Sequence, residues 1–91
     1  PRVNQLLHAV NHFLAKAPIT DEQKAFMDLD KDGKITIDDI FNLTVYFFSR
    51  PEPLSFAQKR MIRKALFKLS TKVNFTNEQH IQFNIFISRF I

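Results

Sequence analysis

Residues 28–39 read Asp28-Leu29-Asp30-Lys31-Asp32-Gly33-Lys34-Ile35-Thr36-Ile37-Asp38-Asp39. Three carboxylates recur at every second position and stop at Gly33, the one glycine of the 91-residue chain. A residue without a Cβ suits a sharp backbone bend at that point. Around this stretch the charge is unevenly spread. Residues 19–50 carry seven acids and four bases, a net −3, whereas residues 1–18 are net +2 and residues 51–91 net +5, for +4 overall. Crowding acids into one short segment costs free energy through their mutual repulsion unless a counter-ion joins them.

The segment resembles the calcium loop of the EF-hand family. Counted as loop positions one to twelve, Asp28, Asp30 and Asp32 fall at one, three and five, Gly33 at six, Lys34 at seven, Ile35 at eight, Thr36 at nine and Asp39 at twelve. The resemblance implies that these residues bind one divalent cation. Asp28, Asp30, Asp32 and Asp39 would bind through carboxylates, Lys34 through its backbone carbonyl, and Thr36 through its hydroxyl or a held water. Hard dications prefer such oxygen ligands. Asp39 departs from the family pattern, which has a glutamate that grips calcium with both oxygens. Aspartate is one methylene shorter, so a two-oxygen grip requires the loop to contract. Fewer ligand oxygens favour the six-coordinate shell of Mg2+, and weaker Ca2+ binding with Mg2+ as competitor is expected. Dockerin modules also end this loop with aspartate, but they carry two ligand-bearing repeats and this chain has one. The plainer alternative is a surface Asp/Gly turn between helices, which leaves the acids without a counter-ion.

Outward from the loop, the chain reads as helical. Residues 3–17 place Val3, Leu6, Leu7, Val10, Phe13, Leu14 and Ala17 on one stripe, and Pro18 closes that helix. Thr20 to Gln23, Ser55 to Gln58 and Thr76 to Gln79 each have the form of a capping box, so helices should begin near 21, 56 and 77. A further helix should run from Ile37 to Ser49, stopped by Pro51 and Pro53. Ile81, Phe83, Ile85 and Ile87 alternate as in a strand. The preceding capping box, with Phe86 and Phe90 out of phase, favours a helix whose apolar residues spread nearly all round.

EF-hands usually come in pairs joined by a short strand at position eight. Residues 71–77 align with residues 33–39 at an offset of 38, a plausible repeat. Val73 would then pair with Ile35 in a two-residue β bridge. The second loop would offer Leu66, Lys68, Ser70, Asn74 and Asn77 as ligands, none a carboxylate, so it should hold no metal. An ordinary linker with a chance match is the alternative. The expected fold is all-α: an extra N-terminal helix over residues 1–18, then an EF-hand pair over 19–91. The metal-binding hand spans 19–50 and the degenerate hand 54–91.

Other function classes are excluded or disfavoured. Without cysteine there are no disulfides and no thiolate metal sites. A single glycine rules out Gly-rich phosphate loops. No apolar run approaches the roughly 20 residues that cross a bilayer. No Ser/His/Asp set or acid/base pair stands out, so a non-enzymatic module is expected. The resemblance implies an intracellular, cytoplasmic setting, and a start at Pro1 suggests a piece of a larger parent chain. A groove lined by Phe26, Ile40, Phe41, Phe47 and Phe83 would receive a protein or peptide helix. Two alternatives stand beside this: a structural domain with a permanently filled metal site, and a basic surface for acidic partners. The latter rests on Lys59, Arg60, Arg63, Lys64 and Lys68, with Phe56 and Phe67 pointing away from the core face. Nucleic acid is not favoured as a partner. His8 and His12 share a helical face but have no third ligand.

Overall fold

Helix starts in this chain are fixed by reciprocal hydrogen bonds between residues three apart. In the computed structural model, which describes residues 3–15, 18–27 and 35–90 and only the backbone of Phe26, Met27 and Phe48, all three expected capping boxes form. Thr20 Oγ1 accepts from the Gln23 N–H at 3.1 Å while Gln23 Oε1 accepts from the Thr20 N–H at 3.0 Å. Ser55 and Gln58 exchange bonds of 3.1 and 2.9 Å, and Thr76 and Gln79 bonds of 3.2 and 2.9 Å. Each box satisfies two backbone donors that a helix start otherwise leaves unpaired.

The described residues form five helices: α1 (Val3–Ala15), α2 (Asp21–Met27), α3 (Ile37–Ser49), α4 (Phe56–Lys72) and α5 (Asn77–Arg89). Helix α3 stops where Arg50 turns extended ahead of Pro51, because the proline ring disfavours a helical residue before it. The Arg50 side chain folds over this corner, donating from Nε to the Glu52 carbonyl at 3.0 Å and pairing with the Glu52 carboxylate at 3.4 Å.

One core joins all of the longer helices. Leu6, Ala9 and Val10 of α1 meet Ile40, Phe41, Leu43 and Phe47 of α3, Ile62, Leu66 and Leu69 of α4, and Phe83 and Phe86 of α5. Helix α1 packs against α2, α3 and α4, so the N-terminal helix is an integral wall of this core. At the other end, Phe41 meets Phe86 and Phe75 edge-on, with ring centroids 5.1 and 5.7 Å apart. Phe75 in turn contacts Phe83 at 5.6 Å, and Phe83 contacts Phe67 at 5.7 Å. These rings tie α3, α4 and α5 together by contacts that add to simple area burial.

Three expectations change. Ile35 and Val73 form no β bridge, and there is no strand among the described residues. Val73 instead caps α4, its N–H donating to the Leu69 carbonyl at 3.1 Å. The segment around 66–77 is not a twelve-residue loop: Leu66, Lys68 and Ser70 lie within α4, leaving residues 73–76 as the connection to α5. With no carboxylates there to gather an ion, nothing competes with continued helical hydrogen bonding. Finally, α5 is helical as expected but buries one side only: Phe83 and Phe86 are in the core, while Ile81 and Ile85 face solvent. Replacing Phe41 by alanine should lower stability by about 3–5 kcal/mol, whereas Phe56→Ala, at a residue 79% exposed, should stay within about 0.5 kcal/mol of the parent. Urea unfolding midpoints compare the two.

Candidate metal centre

Thr36 and Asp39 form a fourth capping box at the start of α3. The Thr36 N–H donates to Asp39 Oδ2 at 2.9 Å, and the Asp39 N–H donates to Thr36 Oγ1 at 3.4 Å. The Thr36 hydroxyl also donates to Asp39 Oδ2, at 3.3 Å. This box does not stand out in the sequence because its third residue is an aspartate, where the pattern asks for glutamate or glutamine, and because the calcium-loop resemblance assigns both residues to the metal. The signal was present as Thr36 three residues before Asp39, directly ahead of an apolar run.

The two oxygens of Asp39 thus differ sharply. Oδ2 is held by the cap. Oδ1 is buried and has no hydrogen-bond partner among the described residues, and the whole residue is 0% exposed. Leaving a buried acceptor unmatched costs about 1–3 kcal/mol, and more if the group is charged. A buried carboxylate is ordinarily paired with a cation or coordinates a metal. Asp39 can therefore offer one oxygen to an ion while the other fixes the carboxylate against α3. Thr36 acts through the cap, where its hydroxyl orients Asp39.

The remaining expected ligands, Asp28, Asp30, Asp32 and Lys34, lie outside the described residues. Ile35 follows them as part of the core, 9% exposed, and so anchors the end of the segment on the α3 side. Among the described residues no three His, Asp or Glu side chains converge as a metal-holding group.

The expected partner groove is closed. Ile40, Phe41, Phe47 and Phe83 are all 7% exposed or less, packed among α1, α4 and α5 rather than lining an open channel; the Phe26 side chain lies outside the described residues. Sequence spacing identified these residues as apolar and inward-facing, but could not show that the neighbouring helices would bury them. On α4, Phe56 projects into solvent and Arg60, Lys64 and Lys68 are exposed, whereas Lys59 and Arg63 are half-buried. Phe67 is 46% exposed but keeps one edge against Phe83.

A cavity of about 540 Å³ lies between α1, the end of α3 and the start of α4. Among the described residues its charged lining is Arg50 and Glu52, which pair with each other. No helix among the described residues is long and apolar enough to cross a membrane. No protein-family model, curated protein or solved structure matches this chain.

Asp39→Asn keeps an acceptor for the cap and removes the charge. In the presence of a chelator the variant should unfold at the parent's temperature or above it. With millimolar Ca2+ or Mg2+ the parent's melting temperature should rise and the variant's should not, because only a ligand bound to the native state raises apparent stability.

Proposed function

We propose that this chain is a non-enzymatic, divalent-cation-binding helix–loop–helix module of the EF-hand type. The observation that carries this reading is Asp39: a fully buried carboxylate with one oxygen fixed by the α3 cap and the other without a hydrogen-bond donor. It stands at the end of the segment whose spaced acids resemble a calcium loop. In this reading Asp28, Asp30 and Asp32 supply side-chain oxygens, Lys34 its carbonyl, and Asp39 a single oxygen. Thr36 holds Asp39 in place. A one-oxygen contribution from Asp39 suits the compact six-ligand shell of Mg2+ better than the wider shell of Ca2+. Helices α4 and α5, joined by a short connection without carboxylates, serve as the ligand-free counterpart that completes the core.

The metal has two conceivable uses, and the packing favours one. Val3, Leu6, Ala9 and Val10 of α1 are buried against the other helices, and Ile40, Phe41, Phe47 and Phe83 are covered. The residues that would receive a partner helix are packed against the chain's own helices, Phe41 and Phe83 through ring contacts with Phe67, Phe75 and Phe86. The bound ion then fastens the start of α3 to the acidic segment and stabilises the closed fold. A switching role would require α1 to leave and expose several core phenylalanines, which a modest ligand affinity difference would have to offset.

Calorimetry tests the site. One cation should bind per chain, Mg2+ should compete with Ca2+, and Asp28→Ala should abolish the heat of binding. A Ca2+ dissociation constant in the nanomolar range would contradict the single-oxygen role of Asp39. Amide spectra test the use: Ca2+ should shift resonances of residues near 28–39 and leave those of Phe47 and Phe83 in place. Large shifts throughout the core would instead support opening towards a partner.

A further inference from the structure

Helix α5 sets its sequence pattern against its fold. Residues 81–87 read Ile81-Gln82-Phe83-Asn84-Ile85-Phe86-Ile87. The odd-numbered residues are all Ile or Phe, and an extended chain places them on one face. A helix divides them. Phe83 is 7% exposed, whereas Ile81 and Ile85, four residues apart on the other side of α5, are 62% and 51% exposed. The folded chain thus leaves two large apolar side chains of this set in water.

From this we infer that residues 81–87 are a self-association segment: helical in the folded chain, and a β-strand paired with the same segment of a second copy once α5 leaves its place. The inference does not depend on the metal site. Three arguments lead to it. First, between Glu78 and Arg89 there is no Asp, Glu, Lys, Arg, Pro or Gly. No fixed charge repels a second copy there and no breaker interrupts a strand of six or seven residues, the length at which identical segments interlock. Second, the segment is complementary to itself. Paired in register, or antiparallel about Asn84, every Ile and Phe of the odd-numbered face meets an Ile or Phe; in register, Gln82 and Asn84 add amide ladders on the opposite face. Third, the helical state of α5 is held from outside the segment. Isoleucine, phenylalanine and asparagine rank below leucine and alanine as helix formers, and a helix of 13 residues is marginal in isolation. What keeps α5 helical is the Thr76–Gln79 capping box and the seating of Phe83 and Phe86 against Phe67, Phe75 and Phe41. Local opening that breaks those holds frees the strand-forming pattern.

Helix α3 gives the contrast. Residues 40–47 are equally free of charge, yet Ile40, Phe41, Leu43, Thr44 and Phe47 are all buried in the helical state. The helix already serves the apolar set of α3, so extension offers it little.

The test incubates the 91-residue chain, with a chelator present, in urea at the foot of its unfolding transition. The infrared amide I band and thioflavin T fluorescence follow the outcome. The parent should pass from helix to β-rich assemblies. Ile85→Lys alters a solvent-facing residue, so its urea midpoint should match the parent's, yet a charge inside the paired face should slow assembly about tenfold or more. Ile81→Lys repeats the test at the second solvent-facing position and should act alike. Val45→Lys, at a comparably exposed position of α3 (46%), should leave the assembly rate unchanged. Thr76→Ala removes the cap and should speed assembly about fivefold. In the assembled material the amides of 81–87 should exchange more slowly than those of α4. A chain that stays helical and monomeric, assembly that neither isoleucine variant slows, or equal slowing by Val45→Lys would overturn the inference.

Discussion

The fold turns on a single carboxylate at the start of α3. Asp39 closes the helix cap with one oxygen and keeps the other buried without a donor. The cap sets where α3 begins, and the next residues, Ile40 and Phe41, enter the core. Phe41, two residues after Asp39, meets Phe75 and Phe86 through edge-on ring contacts. A cation at Oδ1 would be coupled to the packing of α5 through rigid, close-packed side chains, which transmit strain instead of absorbing it.

A chain of this length buries a limited apolar surface, and small domains of this kind often draw on a metal or additional packing for stability. Here α1 supplies the packing: Leu6, Ala9 and Val10 lie under α3 and α4. Phe41, Phe47 and Phe83, which sequence spacing offers as a docking groove, are then part of the interior. The exposed surface carries the bases Arg60, Lys64 and Lys68 beside large apolar side chains, among them Phe56, Ile81 and Ile85.

Much of the secondary structure was legible because its signals are local. The three Ser/Thr to Gln boxes marked helix starts at α2, α4 and α5, and Pro51 marked the end of α3. These depend on hydrogen bonds and sterics within a few residues, which any reader of the sequence can count. The fourth box was hidden by a competing role for Asp39. The supposed empty loop over 66–77 failed for a related reason. A match of residue types at a fixed offset carries no information about whether an ion is present to interrupt a helix, and without one α4 continued to Lys72.

The sequence alone determined the helical class, the helix starts, the concentration of acids at residues 28–39 and the basic character of α4, because each follows from neighbouring residues and simple charge. Tertiary structure alone decided that α1 packs against α3 and α4, that Phe41, Phe75, Phe83 and Phe86 gather in one ring cluster, that Ile35 and Val73 form no bridge with each other, and that one Asp39 oxygen is sealed from water. Each of those depends on residues tens of positions apart being packed together. Packing of that kind is set by how whole helices fit, and not by any pattern within one of them.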